Sequence, residues 1–167
     1  MSKKQHLTPI DFDFGIGKII PATQEAHHSD VFDGQVRKVE KENLSIFKST
    51  LGSTLDSQLA NNQQFPTDGE VFVFIMQYFA IEKEYVRRDV DNMAKTILDV
   101  LKSRFYLDDS QVKTLLVGKK LEKRVPQDFA YVAVKHLSSA QDVDALKISG
   151  LERSVTMFQE LKSKKVL

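Results

Sequence analysis

The sequence has no cysteine in its 167 residues. That excludes disulfides, thiolate zinc sites and a cysteine nucleophile. It has no apolar run near the ~18 residues that a membrane span needs. The opening Met1-Ser2-Lys3-Lys4-Gln5-His6 leads into no apolar stretch. It therefore does not read as a secretory signal, and a cytoplasmic protein with no membrane partner is expected. Internal repeats and low-complexity segments are absent as well. What is present is enough apolar material for a core, at 41% of residues. A length of 167 residues suits one domain.

Net charge is only +1, but it is unevenly placed. Residues 1–82 carry 7 basic and 11 acidic side chains, whereas residues 83–124 carry 11 and 7. A basic middle segment that also holds clustered aspartates is the first functional hint. Basic side chains attract phosphate, and grouped carboxylates attract a hard cation.

Residues 10–20 alternate well at first and read as a strand. Residues 21–35 have loop composition. A helix is expected from Val36 to Ala60, because Leu44, Phe47, Leu51, Leu55 and Leu59 share one stripe. Gly52 weakens that helix without ending it. Val71 to Ile81 is apolar on both faces at its start, the mark of a central strand. Val90, Met93, Ala94, Ile97, Leu98 and Leu101 mark a second helix, ending near Arg104, with Asp91 suited to be its N-cap. Gln111–Leu121 and Phe129–His136 read as two strands of an antiparallel ribbon. Leu151, Val155, Phe158 and Leu161 suggest a last helix, in a C-terminal extension of about 140–167. The expected order is β-α-β-α-β-β-α: an α/β or α+β single domain over residues 1–167, with a mixed sheet flanked by helices.

The chemistry gathers at Asp89-Val90-Asp91-Asn92, where a central strand gives way to a helix. In extended chain the two carboxylates would share a side, with α-carbons about 6.6 Å apart. Lys95 follows one helical turn past Asp91. Asp108-Asp109 adds two carboxylates, and a helix leading away with a short return would bring them near the first pair. Mg²⁺ accepts two or three carboxylates plus a phosphate and keeps several waters. Each piece also has a plain reading: Asp91 as a helix cap, Asp108-Asp109 as a turn, Lys95 as a solvated helix face.

The wording of the segment narrows this. Arg87-Arg88-Asp89-Val90-Asp91-Asn92-Met93-Ala94-Lys95, then Asp99 and Leu101, then Asp108-Asp109-Ser110-Gln111-Val112, resembles the RusA family of Holliday-junction resolvases. The shared pattern is D-[LV]-D-N-x-x-K-x-x-x-D-x-L followed by D-D-x-Q-[VI]. The resemblance implies a homodimeric endonuclease that binds four-way DNA junctions and makes symmetric paired nicks with Mg²⁺, or Mn²⁺ as a substitute. It implies Asp89, Asp91 and Asp109 as metal carboxylates, Lys95 as the lysine needed for cleavage, and Asp108 as an acidic neighbour. A junction-binding protein that keeps the fold and does not cut is the alternative; retention of all these residues favours the enzyme. The family's proline-rich stretch before the first helix is not matched by Ile20-Pro21-Ala22-Thr23-Gln24-Glu25, and the 140–167 extension has no counterpart in its short members.

Arg87, Arg88, Lys119, Lys120, Lys123 and Arg124 are the candidate phosphate contacts, the last four expected on a hairpin tip. Phe14-Gly15-Ile16-Gly17-Lys18 has the wrong spacing for a phosphate loop. His27-His28 reads as loop, and Phe72 and Phe74 as core. Tyr85, Tyr106 and Tyr131 are candidates to stack on an exposed base.

Overall fold

A computed structural model describes residues 10–23 and 34–137. The expected helix over 151–161, the extension and the His27-His28 loop lie outside the described residues. Strand β1 spans Phe12–Ile16, helix α1 Gly34–Leu59 and strand β2 Val71–Phe79. A short helix α2 follows at Glu82–Arg87, then helix α3 at Val90–Leu101. A 3-10 turn at Asp109–Gln111 leads into β3, Val112–Leu121, and β4 is Phe129–His136. The four strands form one mixed sheet in the order β1-β4-β2-β3.

The antiparallel ribbon expected of β3 and β4 does not form. β2 lies between them, parallel to β3 and antiparallel to β4. The reason is the apolar character of β2 on both faces, which gives it the centre. β3 follows a helical crossover and so runs parallel to β2. The 122–128 connection then passes the end of β2. Glu122 N–H donates to the Phe79 carbonyl at 2.8 Å, and Ala80 N–H to Asp128 Oδ1 at 2.8 Å. The chain thereby reaches the other edge of β2.

One face of the sheet carries the helices. Val71, Val73, Ile75 and Phe79 of β2 and Ala130, Val132 and Val134 of β4 pack with Met93, Ile97 and Leu101 of α3 and Phe47 and Leu55 of α1. Buried Gln77 is satisfied there: its Oε1 accepts from Ile20 N–H at 2.9 Å and its Nε2 donates to the Phe129 carbonyl at 2.9 Å. Gly52 has a reason to sit inside α1, which runs through it unbroken. A Cβ at that position would lie 2.6 Å from the Arg104 guanidinium. Arg104 clamps Asp56 of α1 with two bonds, at 2.8 and 3.2 Å. On the opposite face, Phe72 and Leu137 form a smaller cluster with Phe74 and Leu116.

α3 stops at Leu101, short of Arg104. Lys102 N–H closes on the Leu98 carbonyl at 3.0 Å, and Ser103 adopts a left-handed φ of 68°. That reversal sends Phe105 and Tyr106 back into the core, where both are fully buried. No helix of the described residues is long and apolar enough to cross a membrane.

Candidate active site

α3 is strongly amphipathic. Met93, Ala94, Ile97, Val100 and Leu101 face the core, while Asp91, Lys95 and Asp99 face solvent. The helix begins at Val90, so Asp89 is the N-cap, and Asp91 lies in the first turn. This corrects two expectations. Asp91 is not the cap, and residues 89–91 are not one extended run: Asp89 is extended (φ −99°, ψ 132°) and Val90 is already helical. The Asp89 side chain makes no capping hydrogen bond. Its carboxylate is therefore not spent on the helix N–H groups.

The solvent stripe of α3 sorts itself by pairing. Asp99 takes Lys48 of α1 at 2.6 Å. Lys102, just past the helix, takes Asp109 at 3.2 Å and Asp108 at 3.9 Å. Asp89, Asp91 and Lys95 are exposed, and their side chains make no hydrogen bond or ion pair among the described residues. The D-V-D-N-x-x-K run thus offers two open carboxylates and an open ammonium at one helix N-terminus. Two hard oxygen ligands with open solvent around them suit Mg²⁺, which retains waters and needs few protein ligands.

Asp108 and Asp109 do not join that group within one chain. α3 is 12 residues long and rises about 18 Å. Asp89 stands at its start, by the last residues of β2. Asp109 stands beyond its end, ahead of β3, whose first residue pairs with the first of β2. The expected short return to the first acidic pair is therefore overturned. The helix consumes the sequence gap in one direction, and β3 starts at the far end of the sheet. No group of three or more metal-ligating side chains occurs among the described residues.

Tyr106 confirms which end Asp109 occupies. Burial first, then the charges of Asp109 and Asp99, push its phenol far above the usual range. Its hydroxyl donates to the Leu98 carbonyl at 2.9 Å. The Asp108 carboxyl is held low, chiefly by the backbone and side chain of Ser110, with Lys102 assisting.

Gln111 of the D-D-x-Q-V run holds this second acidic pair. Its Oε1 accepts from Leu107 and Asp108 N–H at 2.7 and 2.8 Å, and its Nε2 donates to the Thr67 and Gly69 carbonyls at 2.9 and 2.7 Å. All four capacities of the amide are used in one buttress. The sequence motif contained this residue without revealing its task. Gln111→Ala is expected to destabilise the fold by roughly 1–3 kcal/mol, since partly buried backbone groups lose their partners. Urea unfolding measures this, and an unchanged midpoint would remove the buttress from the account.

The basic candidates gather at the Asp89 end. Lys123 lies 4.0 Å from Glu82 of α2, which places the 122–128 connection beside that helix. Arg87 and Arg88 both reach Glu84, at 3.9 and 3.4 Å. Arg124 is bidentate on Glu122 at 2.8 and 2.9 Å and draws that carboxyl down to about 2. Lys120 is exposed. The hairpin tip expected for Lys119, Lys120, Lys123 and Arg124 does not exist: Lys119 and Lys120 are both on β3, and Lys123 and Arg124 lie in the connection to β4, which is not paired with β3. What sets Lys119 apart is its Nζ, which donates to the Tyr85 and Arg88 carbonyls, each at 2.7 Å. Strand alternation, which puts Lys119 and Lys120 on opposite faces, was the signal that could have separated them. The three tyrosines also have other partners. Tyr106 is buried, Tyr85 lies beneath Lys119 with 4.6 Å between Nζ and ring centre, and Tyr131 donates to Asp13 at 2.8 Å.

Comparison with curated proteins yields no match. The family model described as Endodeoxyribonuclease RusA matches residues 21–132. That span takes in α1, all of β2 and β3, both acidic clusters and the first half of β4. The open Asp89–Asp91–Lys95 group and the buttressed Asp108-Asp109 turn both fall inside it, and the chain belongs to the RusA family of endodeoxyribonucleases.

Proposed function

We propose that this chain is a divalent-metal-dependent endonuclease that acts as a homodimer, binds four-way DNA junctions and cuts them by paired nicks. Family membership carries the general class, endonucleolytic cleavage of Holliday junctions. The finer reading is supported by one observation above all. Asp89, Asp91 and Lys95 stand exposed and unpaired at the start of α3, while neighbouring charges on the same stripe are neutralised.

Asp89 and Asp91 would hold Mg²⁺, or Mn²⁺ in its place. When bound, such an ion polarises a phosphoryl oxygen and generates a nucleophile from water. Lys95 lies one turn along the same face as Asp91, so its ammonium can meet the scissile phosphate and offset charge that builds during cleavage. The positive end of the α3 dipole adds to the same field. Arg87, Arg88, Lys123 and Arg124 lie toward this end and serve the flanking phosphates, while Lys120, on the opposite face of the sheet, would reach only DNA that wraps past the edge strand β3.

Asp109 enters the proposal through the dimer. One chain holds it a helix length from Asp89, so a second copy must deliver it if it is to share the ion. A two-fold dimer also suits a junction, because two identical sites can make two symmetric cuts.

The test is a labelled synthetic four-way junction with the full chain, in Mg²⁺ or EDTA, and a linear duplex as control. Paired nicks near the crossover that require Mg²⁺ are expected. Tight junction binding with no cleavage in any of several divalent ions would overturn the enzyme reading in favour of a binding protein.

A further inference from the structure

α2 is a six-residue helix with no buried residue. It nevertheless sets where α3 begins, and so where both Asp89 and Asp91 stand. Such a helix leaves carbonyls unsatisfied at its C-terminal end, and its main apolar anchor is the half-buried Tyr85. Something else must fix the corner between α2 and α3.

That something is Lys119. It pairs with Gln77 of β2 on the sheet face that carries the helices. Its Nζ donates to the Tyr85 carbonyl inside α2 and to the Arg88 carbonyl in the linker, each at 2.7 Å. It also lies 4.6 Å from the centre of the Tyr85 ring, which packs edge-on against Phe79 at 6.0 Å. One ammonium thus ties the end of α2 to the sheet through two carbonyls and a ring face. The second carbonyl belongs to the peptide unit that leads directly into Asp89.

We propose that Lys119 is a positioning residue for the metal carboxylates: it fixes the Arg88–Asp89 peptide and thereby the relative placement of Asp89 and Asp91. This rests on the metal-site reading above. The residue type follows from the task. A flexible stem with three donors at its tip can reach two carbonyls that diverge from each other, whereas a planar guanidinium presents its donors in a fixed fork. Lys119→Met keeps the stem and removes every donor. Partners that orient metal ligands are worth about 10–100-fold in metal affinity or activity.

The experiment titrates Mn²⁺ against the full chain, reading bound metal by electron paramagnetic resonance and junction cleavage in parallel. For Lys119→Met the Mn²⁺ midpoint is expected to rise by about tenfold or more. Cleavage at saturating metal should recover most of the wild-type rate, and junction binding in EDTA should be unchanged. Lys119→Arg, which retains the charge, should show a smaller rise. A folded Lys119→Met protein with the wild-type midpoint would overturn the proposal. So would a loss of junction affinity in EDTA with no change in metal midpoint, which would make Lys119 a phosphate contact. If Lys119→Met fails to fold, Lys119→Arg decides; if neither folds, Lys119 serves global stability and the proposal falls. Failure of the underlying reading looks different, because the wild-type chain itself would then bind no Mn²⁺.

Discussion

Asp91→Asn is expected to lower junction cleavage by at least about a hundredfold while leaving junction binding intact. The bound follows from comparison. Groups that merely orient a metal ligand are worth about 10–100-fold, and Asp91 is proposed as a ligand itself. The substitution is clean for physical reasons. Asparagine has nearly the same shape, and Asp91 is exposed with no partner to abandon among the described residues. The fold should lose only the favourable placement of a negative charge in the first turn of α3, about 0.3–1 kcal/mol. Phosphate binding should hold or tighten slightly, since a negative charge leaves the surface that faces DNA. Single-turnover cleavage in Mg²⁺ and a band-shift in EDTA separate the two effects. Cleavage within a few-fold of wild type would remove Asp91 from the metal site. A parallel loss of binding would mark a folding defect instead.

The sequence was most legible where periodicity and packing agree. α3 announces itself through Met93, Ile97 and Leu101, and its polar face is the face the chemistry uses. β2 announces its central place through two apolar faces, and Val71, Phe72, Val73 and Ile75 are indeed buried, with Phe74 partly so. The ends of β4 follow from the turn residues around it. Pairing was another matter. Alternation identifies Gln111–Leu121 and Phe129–His136 as strands, but it carries no information about a third strand between them. β2 claimed that place because it is the most apolar segment of the sheet. α2 left no trace, since none of its six residues is fully buried and it is held by a lysine some thirty residues downstream. Lys119 itself was hidden beside Lys120, its neighbour on the opposite face of β3, and Lys123 and Arg124 in the connection beyond.

The site was legible in its residues but not in its distances. Asp89, Asp91, Lys95 and Asp109 carry the resemblance, yet a sequence gap does not say which way a helix will travel. α3 runs the whole depth of the sheet from one acidic cluster to the other. It is a rigid element whose core face is locked by Ile97 and Leu101, so no loop motion shortens the path. Lys102 then holds Asp109 at the far end.

Mixing two inactive variants should therefore restore cleavage. Asp91→Asn and Asp109→Asn chains are each expected to be inactive as homodimers. If each site combines Asp89 and Asp91 of one chain with Asp109 of the other, a heterodimer of the two variants carries both defects in one site and none in the other. Random exchange makes about half of all dimers heterodimers, each with one working site of two, so about a quarter of the wild-type nicking capacity should return. The product has its own signature. One working site leaves a junction nicked on one strand, where the wild-type dimer yields two separated duplexes. A denaturing gel of end-labelled strands reports the first, and a native gel the second. Sites built within single chains give no restoration, because every chain in the mixture is defective. An active Asp109→Asn homodimer would instead show that Asp109 holds no metal at all, leaving Asp89 and Asp91 to bind the ion with water and phosphate alone.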